Sequence, residues 1–410
     1  MTLANPSPLR QLTATPHRMM FFAGTLQGVA AVGWWLADLL GRYAGWYAPL
    51  PWTVTPMWAH AYLMIYGLFP FFMFGFMMTA MPSWLDGGKV PRRAYVAACL
   101  IMLGGMALFY IGLRAGRGVV IAGVALHLAG WAVGWTTLAR LVAGSHHPKR
   151  HFPMVLLGVF ALGWLGALCY LLWLATGASA LLNISWHGIW YFLLPVFFAA
   201  STRLVPFFSS RVLADYVMYT PRWVLPLGIV GALAHAALSL GGAQRWLIVP
   251  DAAMAIGISC VVVRWGLLRS FRVRLLAVLH ISLAALAIAL WLFVIQDAAL
   301  LWSGRMTLGA APLHALTIGF FTAMVIAMVS RVSLGHSGRA LVADALTWWC
   351  FLGVIAAAGV RVVAEVPFVP GTVGLRLSAL AAALWLLCFG VWACRYLPMY
   401  WRPRVDGKPG

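Results

Sequence analysis

Charged residues are scarce in this chain of 410 residues, where they make up 9% of the sequence, against roughly a quarter in a typical soluble protein. Eight residues are acidic and 28 are basic, so the formal net charge is +20. The basic residues stand singly or in small groups between long apolar runs, which argues against a nucleic-acid-binding surface. Apolar residues make up 63% of the chain and the mean hydropathy is +0.92. The lipid bilayer is therefore the expected surroundings of most of the surface.

Other absences narrow the function. The six cysteines all fall inside apolar segments and form no CxxC pair, so neither a disulfide framework nor a thiolate metal site is expected. They are Cys99, Cys169, Cys260, Cys350, Cys388 and Cys394. The chain has no Walker loop, no dinucleotide fingerprint, no GxSxG and no HExxH. Nothing in it indicates a hydrolase.

Apolar runs of about 20 residues, the length that crosses the hydrocarbon core, occur twelve times. They lack the period-2 alternation of outer-membrane barrels. We therefore predict an all-α, polytopic membrane helix bundle with about twelve transmembrane helices. The predicted spans are 19–40, 56–82, 94–113, 118–143, 153–176, 185–206, 223–242, 246–268, 275–297, 312–333, 343–364 and 375–397. One membrane domain then covers residues 19–397, between an N-terminal tail of residues 1–18 and a C-terminal tail of residues 398–410.

The basic residues also predict the orientation of these spans. With the N-terminus in the cytoplasm, 21 of the 28 basic residues fall in cytoplasmic segments, as the positive-inside rule requires. A missed or additional span would invert every later segment and destroy this bias. Both tails are therefore predicted to be cytoplasmic.

Six histidines lie inside predicted spans, namely His60, His127, His187, His235, His280 and His314. A single intramembrane histidine is also consistent with a structural hydrogen bond, but neutral imidazole is the commonest metal ligand and a usual axial ligand of haem. The second, sixth and tenth spans run in the same direction, and His60, His187 and His314 lie near their outer ends. These three imidazoles are expected at one depth, where they could share a site. His280 begins the ninth span on the inner side.

Two further groups of residues each have two possible roles, one at a metal or haem site and one in packing or at the membrane surface. Met57, His60 and Met64 can share one helix face, which suits copper(I) but equally fits ordinary core methionines. Arg203 and Arg331 lie near the inner ends of the sixth and tenth spans. Each either extends to the lipid headgroups or pairs with an anionic group such as a haem propionate.

Three blocks of this sequence resemble the NnrS family of haem- and copper-containing bacterial membrane proteins linked to the nitric oxide response. The blocks are LHALTIGFFTAMVIAMVSRVSLGHSGR from Leu313 to Arg339, GFMMTAMPSW from Gly75 to Trp84, and RLVPFFSSR from Arg203 to Arg211. A fourth, shorter match is LHIS from Leu279 to Ser282. One departure stands at HAYLM, where Tyr62 and Leu63 replace the second histidine and the acid of the expected HAHEM pattern.

The resemblance implies an inner-membrane metalloprotein that binds haem, and copper as a second metal. It implies that His60, His187, His280 and His314 are haem or metal ligands, with Arg203 and Arg331 in support. Within this set, His60, His187, His314 and Met64 are the predicted metal ligands. The implied role is the nitric oxide response or relief of nitrosative stress in the bacterial cytoplasmic membrane, with nitric oxide or another small gas as the ligand.

Two alternatives remain open at this level. A small-solute or metal transporter would place a polar site at broken helices near the bilayer midplane, but the few acids lie mostly at predicted helix ends. A redox subunit resembling haem-copper oxidases would also bundle twelve helices around intramembrane histidines. The sequence shows no close pair of histidines within one helix.

The charge distribution makes a testable prediction about topology. Green fluorescent protein fused after Gly410 is expected to fluoresce, and alkaline phosphatase fused there is expected to be inactive, because the phosphatase needs an oxidising compartment for its disulfides. The matched control is a phosphatase fusion at Gly116, between the third and fourth spans, which should be active. An active phosphatase after Gly410 would contradict the predicted orientation.

Overall fold

The computed structural model describes residues 7–408, and within them every regular element is a helix. Eleven helices are long and apolar enough to cross a membrane, and a further apolar helix, Val224–Leu240, has 17 residues. At a rise of 1.5 Å per residue the shorter helix spans about 26 Å, the lower limit for a crossing. The prediction of an all-α polytopic bundle is therefore confirmed, and the predicted span at 223–242 is the shortest one.

The twelve helices form three consecutive groups of four. The first group is α1 (Pro16–Arg42), α2 (Pro56–Trp84), α3 (Arg92–Ala115) and α4 (Arg117–Ala143). The second is α5 (Pro148–Thr176), α6 (Ser179–Val212), α7 (Val224–Leu240) and α8 (Gln244–Arg264). The third is α9 (Arg274–Ser303), α10 (Ala311–His336), α11 (Ala345–Val363) and α12 (Gly371–Trp401).

The two ends of the described chain lie on the same face of the bundle. A short helix at Pro8–Leu12 packs against the last turn of α12, Pro398–Trp401. Arg18 in the first turn of α1 donates a hydrogen bond to the carbonyl oxygen of Arg402 at 3.1 Å. An even number of crossings produces this arrangement, as the sequence predicted.

The second helix of each group lies at the centre of the bundle. In the most apolar stretches of α2, α6 and α10, 78%, 67% and 72% of the residues are buried, against 33–56% in the other long helices. Phe69, Phe197 and Phe321, one from each of these helices, meet with ring centroids 4.9–5.8 Å apart. His60 and His187 are separated by 127 residues, as are His187 and His314. The three groups therefore occupy equivalent positions around a common centre.

Helices α3 and α4 pack with their backbones in direct contact. A Cβ atom placed on Gly123 would lie 2.6 Å from the backbone nitrogen of Phe109, and one on Gly130 would lie 2.6 Å from that of Met102. Small residues permit such close approach of helices in lipid, where van der Waals packing drives association. Glycine at these positions is therefore required by the helix pair.

We predict that Gly123→Ala destabilises the protein by about 1–3 kcal/mol, because the added methyl group overlaps backbone atoms that cannot rotate away. The measurement is thermal or denaturant unfolding of the purified protein in detergent. Gly118→Ala is the matched control on the same helix, since a Cβ at Gly118 meets no atom within 4 Å, and its stability should not fall. Equal stability of the two variants would contradict the close packing of α3 and α4.

Candidate metal centre

Each central helix contains a π-helical segment just after one of the candidate histidines. In α2 the segment Leu63–Leu68 follows His60, and in α6 the segment Ile189–Leu193 follows His187. In α10 the segment Ala315–Thr322 follows His314. These are the three π-helical segments within residues 7–408. Such segments are rare and often occur at functional sites, so the fold singles out the same three positions as the sequence did.

The sequence explains why the helix widens from an α-helical to a π-helical turn at these places. Pro70 and Pro195 each lie two residues beyond a π-helical segment, and proline lacks the N–H donor and clashes with the carbonyl four residues before it. Those preceding positions are Tyr66 and Tyr191, whose hydroxyl oxygens lie 3.1 Å apart and link α2 to α6. In α10 the hydroxyl of Thr322 donates to the carbonyl oxygen of Thr317 at 3.2 Å instead. The Thr322 bond satisfies a backbone carbonyl within the π-helical segment of α10.

The structure brings His60 and His314 together at the outer end of the bundle. The two imidazoles are within electrostatic range of each other, and Arg361 of α11 is within range of both. Trp35 of α1 stacks on the His60 ring, with centroids 4.2 Å apart and planes 15° apart. Arg361 forms an ion pair with Glu365 at 2.6 Å, while its Nη1 is buried without a hydrogen-bond partner. Four different helices thus converge here.

Both imidazoles can offer a nitrogen lone pair. In His314 the Nδ1–H donates to the carbonyl oxygen of Ala310 at 2.9 Å, so the neutral ring carries its lone pair on Nε2. This backbone bond also fixes the orientation of the ring, as it does for many histidine ligands. In His60 the Nδ1 is buried and has no hydrogen-bond partner. A buried polar atom without a partner is costly in a low-dielectric interior, and a bound metal or cofactor would remove that cost.

His187 lies in a second cluster, on the side of α7. Its Nδ1–H donates to the carbonyl oxygen of Asn183 at 2.7 Å, and its Nε2 accepts from the Ser239 hydroxyl at 2.8 Å. Nearby, the Nδ1–H of His235 donates to both carboxylate oxygens of Asp251, at 2.8 and 3.0 Å. Trp190 covers the His235 ring at a centroid distance of 3.5 Å. Both nitrogens of His187 are therefore already engaged by the protein.

His280, Arg203 and Arg331 lie at the opposite end of the bundle from His60 and His314. The Nε2–H of His280 donates to the Ser209 hydroxyl oxygen at 2.9 Å, and its Nδ1 is buried without a partner. Arg331 lies over the Phe208 ring at 3.8 Å, and Arg203 lies over the Trp84 ring at 4.6 Å. These arginines make cation–π contacts and do not approach the His60–His314 pair.

The remaining candidates near His60 do not join it in a common ligand set. Met57 is 48% exposed, and Met64 lies inside the π-helical segment, packed against the apolar core. Tyr62, at the departure from the family pattern, is fully buried and hydrogen-bonded to His127 Nδ1 at 3.1 Å. Within residues 7–408 no group of three or more histidine, cysteine or acidic side chains is arranged to hold a metal ion.

Sequence reasoning missed Arg361 and Trp35 in this centre. Arg361 is one of the seven basic residues that the predicted topology places on the outer side, but hydropathy gives the depth of a residue and not the direction in which it points. The equal spacing of His60, His187 and His314 was a usable signal for the threefold repeat.

Comparison with known proteins agrees with this architecture. No curated protein matches the chain. Among solved structures, the chain is similar to one described as the cryo-EM structure of a heme-copper terminal oxidase dimer, with a TM-score of 0.64 at 12% sequence identity. The match covers 97% of this chain and 85% of that one, and it shows a shared fold. A family model described as NnrS protein matches residues 11–404, nearly the whole chain. The chain belongs to the NnrS family of multi-pass membrane proteins.

Proposed function

We propose that this protein binds haem between His60 and His314 and acts in the bacterial response to nitric oxide. The observation that carries the proposal is the pair of half-buried imidazoles from separate spans, each with a nitrogen available, beside a guanidinium with an unpaired N–H. Imidazole is a usual axial ligand of haem iron. The similar solved structure is, by its description, a haem-copper oxidase, and that likeness in fold adds support.

The residues present fit a haem group. The unpaired His60 Nδ1 shows that the centre has an unsatisfied polar atom, and His314 has its Nδ1–H fixed by Ala310. Arg361 would hold a carboxylate of the haem, because its Nη1 is buried and free while Glu365 engages its Nη2. Trp35 keeps the His60 ring in place and excludes water from one of its faces. Haem iron, when bound, exchanges single electrons and binds nitric oxide where an axial position is open.

Ligation by both imidazoles favours an electron-transfer role as the second candidate. If His60 and His314 both held the haem, the group would supply one-electron transfer rather than a free site for nitric oxide. Under this reading the protein passes electrons to or from a partner in the inner membrane. Relief of nitrosative stress would then take place at a separate acceptor.

Copper remains a prediction. The Met57–His60–Met64 set does not present three ligands to one point, since Met57 is half exposed and Met64 packs in the core. In the second cluster, Asp251 accepts from the Nδ1–H of His235. The Nε2 atom of His235 therefore carries a lone pair that could bind copper. Metal analysis of the same purified protein used for haem tests copper directly.

The haem proposal predicts which histidines are needed for the Soret absorbance of bound haem. His60→Ala and His314→Ala are expected to lose at least nine-tenths of the Soret absorbance of the purified protein, because each removes an axial ligand. His235→Ala is the matched control, since it is buried in the outer half but belongs to the second cluster. His187→Ala and His280→Ala, whose rings are held by Ser239 and Ser209, are also expected to keep the band.

The haem proposal fails if His60→Ala and His314→Ala keep the full band while His187→Ala or His280→Ala loses it. It also fails if the wild-type protein, produced with haem supplied, is colourless. Unfolding temperatures of all five variants, measured without haem, separate loss of the ligand from loss of the fold.

Arg361 makes a separate prediction. Arg361→Gln is expected to weaken haem binding about tenfold to a hundredfold while the Soret band keeps its shape, because a charge-assisted hydrogen bond contributes about 1.5–3 kcal/mol. The measurement is transfer of haem from the protein to apomyoglobin. Arg376→Gln is the control, since Arg376 is exposed at the outer end of α12. Equal haem retention in both variants would contradict the role of Arg361.

A further inference from the structure

The first turn of α1 contains an unusual group of unpaired polar atoms. Thr15 Oγ1, His17 Nδ1 and Arg18 Nη2 are all buried without a hydrogen-bond partner. They fall within four consecutive positions, on the membrane face that carries both ends of the described chain. This face is opposite to the one near His60 and His314, so the group is independent of the proposed haem centre.

Arg18 is the strongest feature of this group. Its residue exposure is 2%, and no carboxylate pairs with it among residues 7–408. Its Nη1 donates to backbone carbonyls of Tyr400 and Arg402 and to the side chain of Gln11, while Nη2 donates to nothing. Carbonyl dipoles do not neutralise a buried charge. An uncompensated buried cation strongly destabilises the folded protein. A bound anion beside the Arg18 guanidinium would remove this cost.

The neighbouring side chains add hydrogen-bond donors. The His17 and His336 rings lie 4.4 Å apart, and both are within electrostatic range of Arg18. Arg404 donates to the carbonyl oxygen of His336 and pairs with Asp406. Hydrogen bonds from Arg404 lower the pKa of Asp406 to about 2, so this carboxylate is ionised and committed to Arg404. Arg18 therefore has no acidic neighbour left to pair with it.

The helix itself strengthens the preference for an anion. The N-cap residue, Thr15, makes no side-chain capping hydrogen bond, and the first turn of this 27-residue helix contains no acidic residue. The N-terminus of a long helix carries a partial positive charge and unpaired N–H groups. A transition metal is disfavoured here because Arg18 would repel it. The exposed ring of His336 gives access from the aqueous side.

We propose that Arg18, His17 and His336, at the N-terminus of α1, form a binding site for a phosphate group at the level of the lipid headgroups. A phosphate has several acceptor oxygens for the fork of a guanidinium and for imidazole N–H groups. Two sources share this chemistry, namely the headgroup of an anionic phospholipid and a soluble phosphate compound. Basic pockets between helices on this membrane face are known to suit anionic lipid headgroups.

The test uses the full chain, purified in detergent and stripped of lipid. Its unfolding temperature is measured against increasing phosphatidylglycerol, phosphatidylcholine or inorganic phosphate. We expect saturable stabilisation of the wild type by phosphatidylglycerol, by inorganic phosphate or by both, and none by phosphatidylcholine. Arg18→Gln is expected to weaken the apparent affinity at least tenfold. His336→Gln, whose exposed position tolerates substitution, should weaken it about threefold to tenfold.

Arg93→Gln is the matched control, because Arg93 is an exposed arginine on the same face with no hydrogen bond or ion pair within the described chain. A response to phosphatidylglycerol alone identifies the ligand as a lipid headgroup. A response to inorganic phosphate alone identifies a soluble phosphate compound, and a response to both shows that the site accepts a phosphate group from either source. The proposal is overturned if neither ligand stabilises the wild type, or if His336→Gln responds as the wild type does. It is also overturned if Arg93→Gln loses as much affinity as Arg18→Gln.

Discussion

The structure depends on one constraint: a polar group in hydrocarbon must find its partner within the protein or in a bound ligand. Most buried polar groups here do so, as the Tyr66–Tyr191 link and the His235–Asp251 pair show. Two groups of buried polar atoms lack a partner within the protein: His60 Nδ1 and Arg361 Nη1 at one end of the bundle, and the first-turn atoms of α1 at the other. Further unpaired atoms lie elsewhere in residues 7–408, among them His280 Nδ1 and the indole nitrogen of Trp131.

The central helices connect the fold to this chemistry. Helices α2, α6 and α10 meet at Phe69, Phe197 and Phe321, and a π-helical segment follows the histidine in each of them. His60 and His314 lie in one part of the bundle, and His187 lies in another. One part, between α1, α10 and α11, gathers a second imidazole and a guanidinium. Beside α7, the Ser239 hydroxyl is hydrogen-bonded to His187 and the Asp251 carboxylate to His235.

Much of the fold could be predicted from the sequence, because apolar length and the distribution of arginine determine the number and direction of the crossings. The common depth of His60, His187 and His314 also followed from direction alone. Which of the three share a site did not follow, since hydropathy says nothing about rotation around a helix axis and the π-helical segments change that rotation. His187 lies apart from the other two. Pro70 and Pro195 marked two of these segments in the sequence. Arg361 could not be assigned a partner, because its neighbours come from spans about 300 and 50 residues away in the chain.

The most direct test of the account is the electron paramagnetic resonance spectrum of the oxidised, haem-loaded wild-type protein. Coordination by His60 and His314 predicts a low-spin ferric signal of bis-histidine type, with one haem per chain. A purely high-spin signal, or a low-spin signal that persists unchanged in His314→Ala, would contradict the claim that these two imidazoles share one haem.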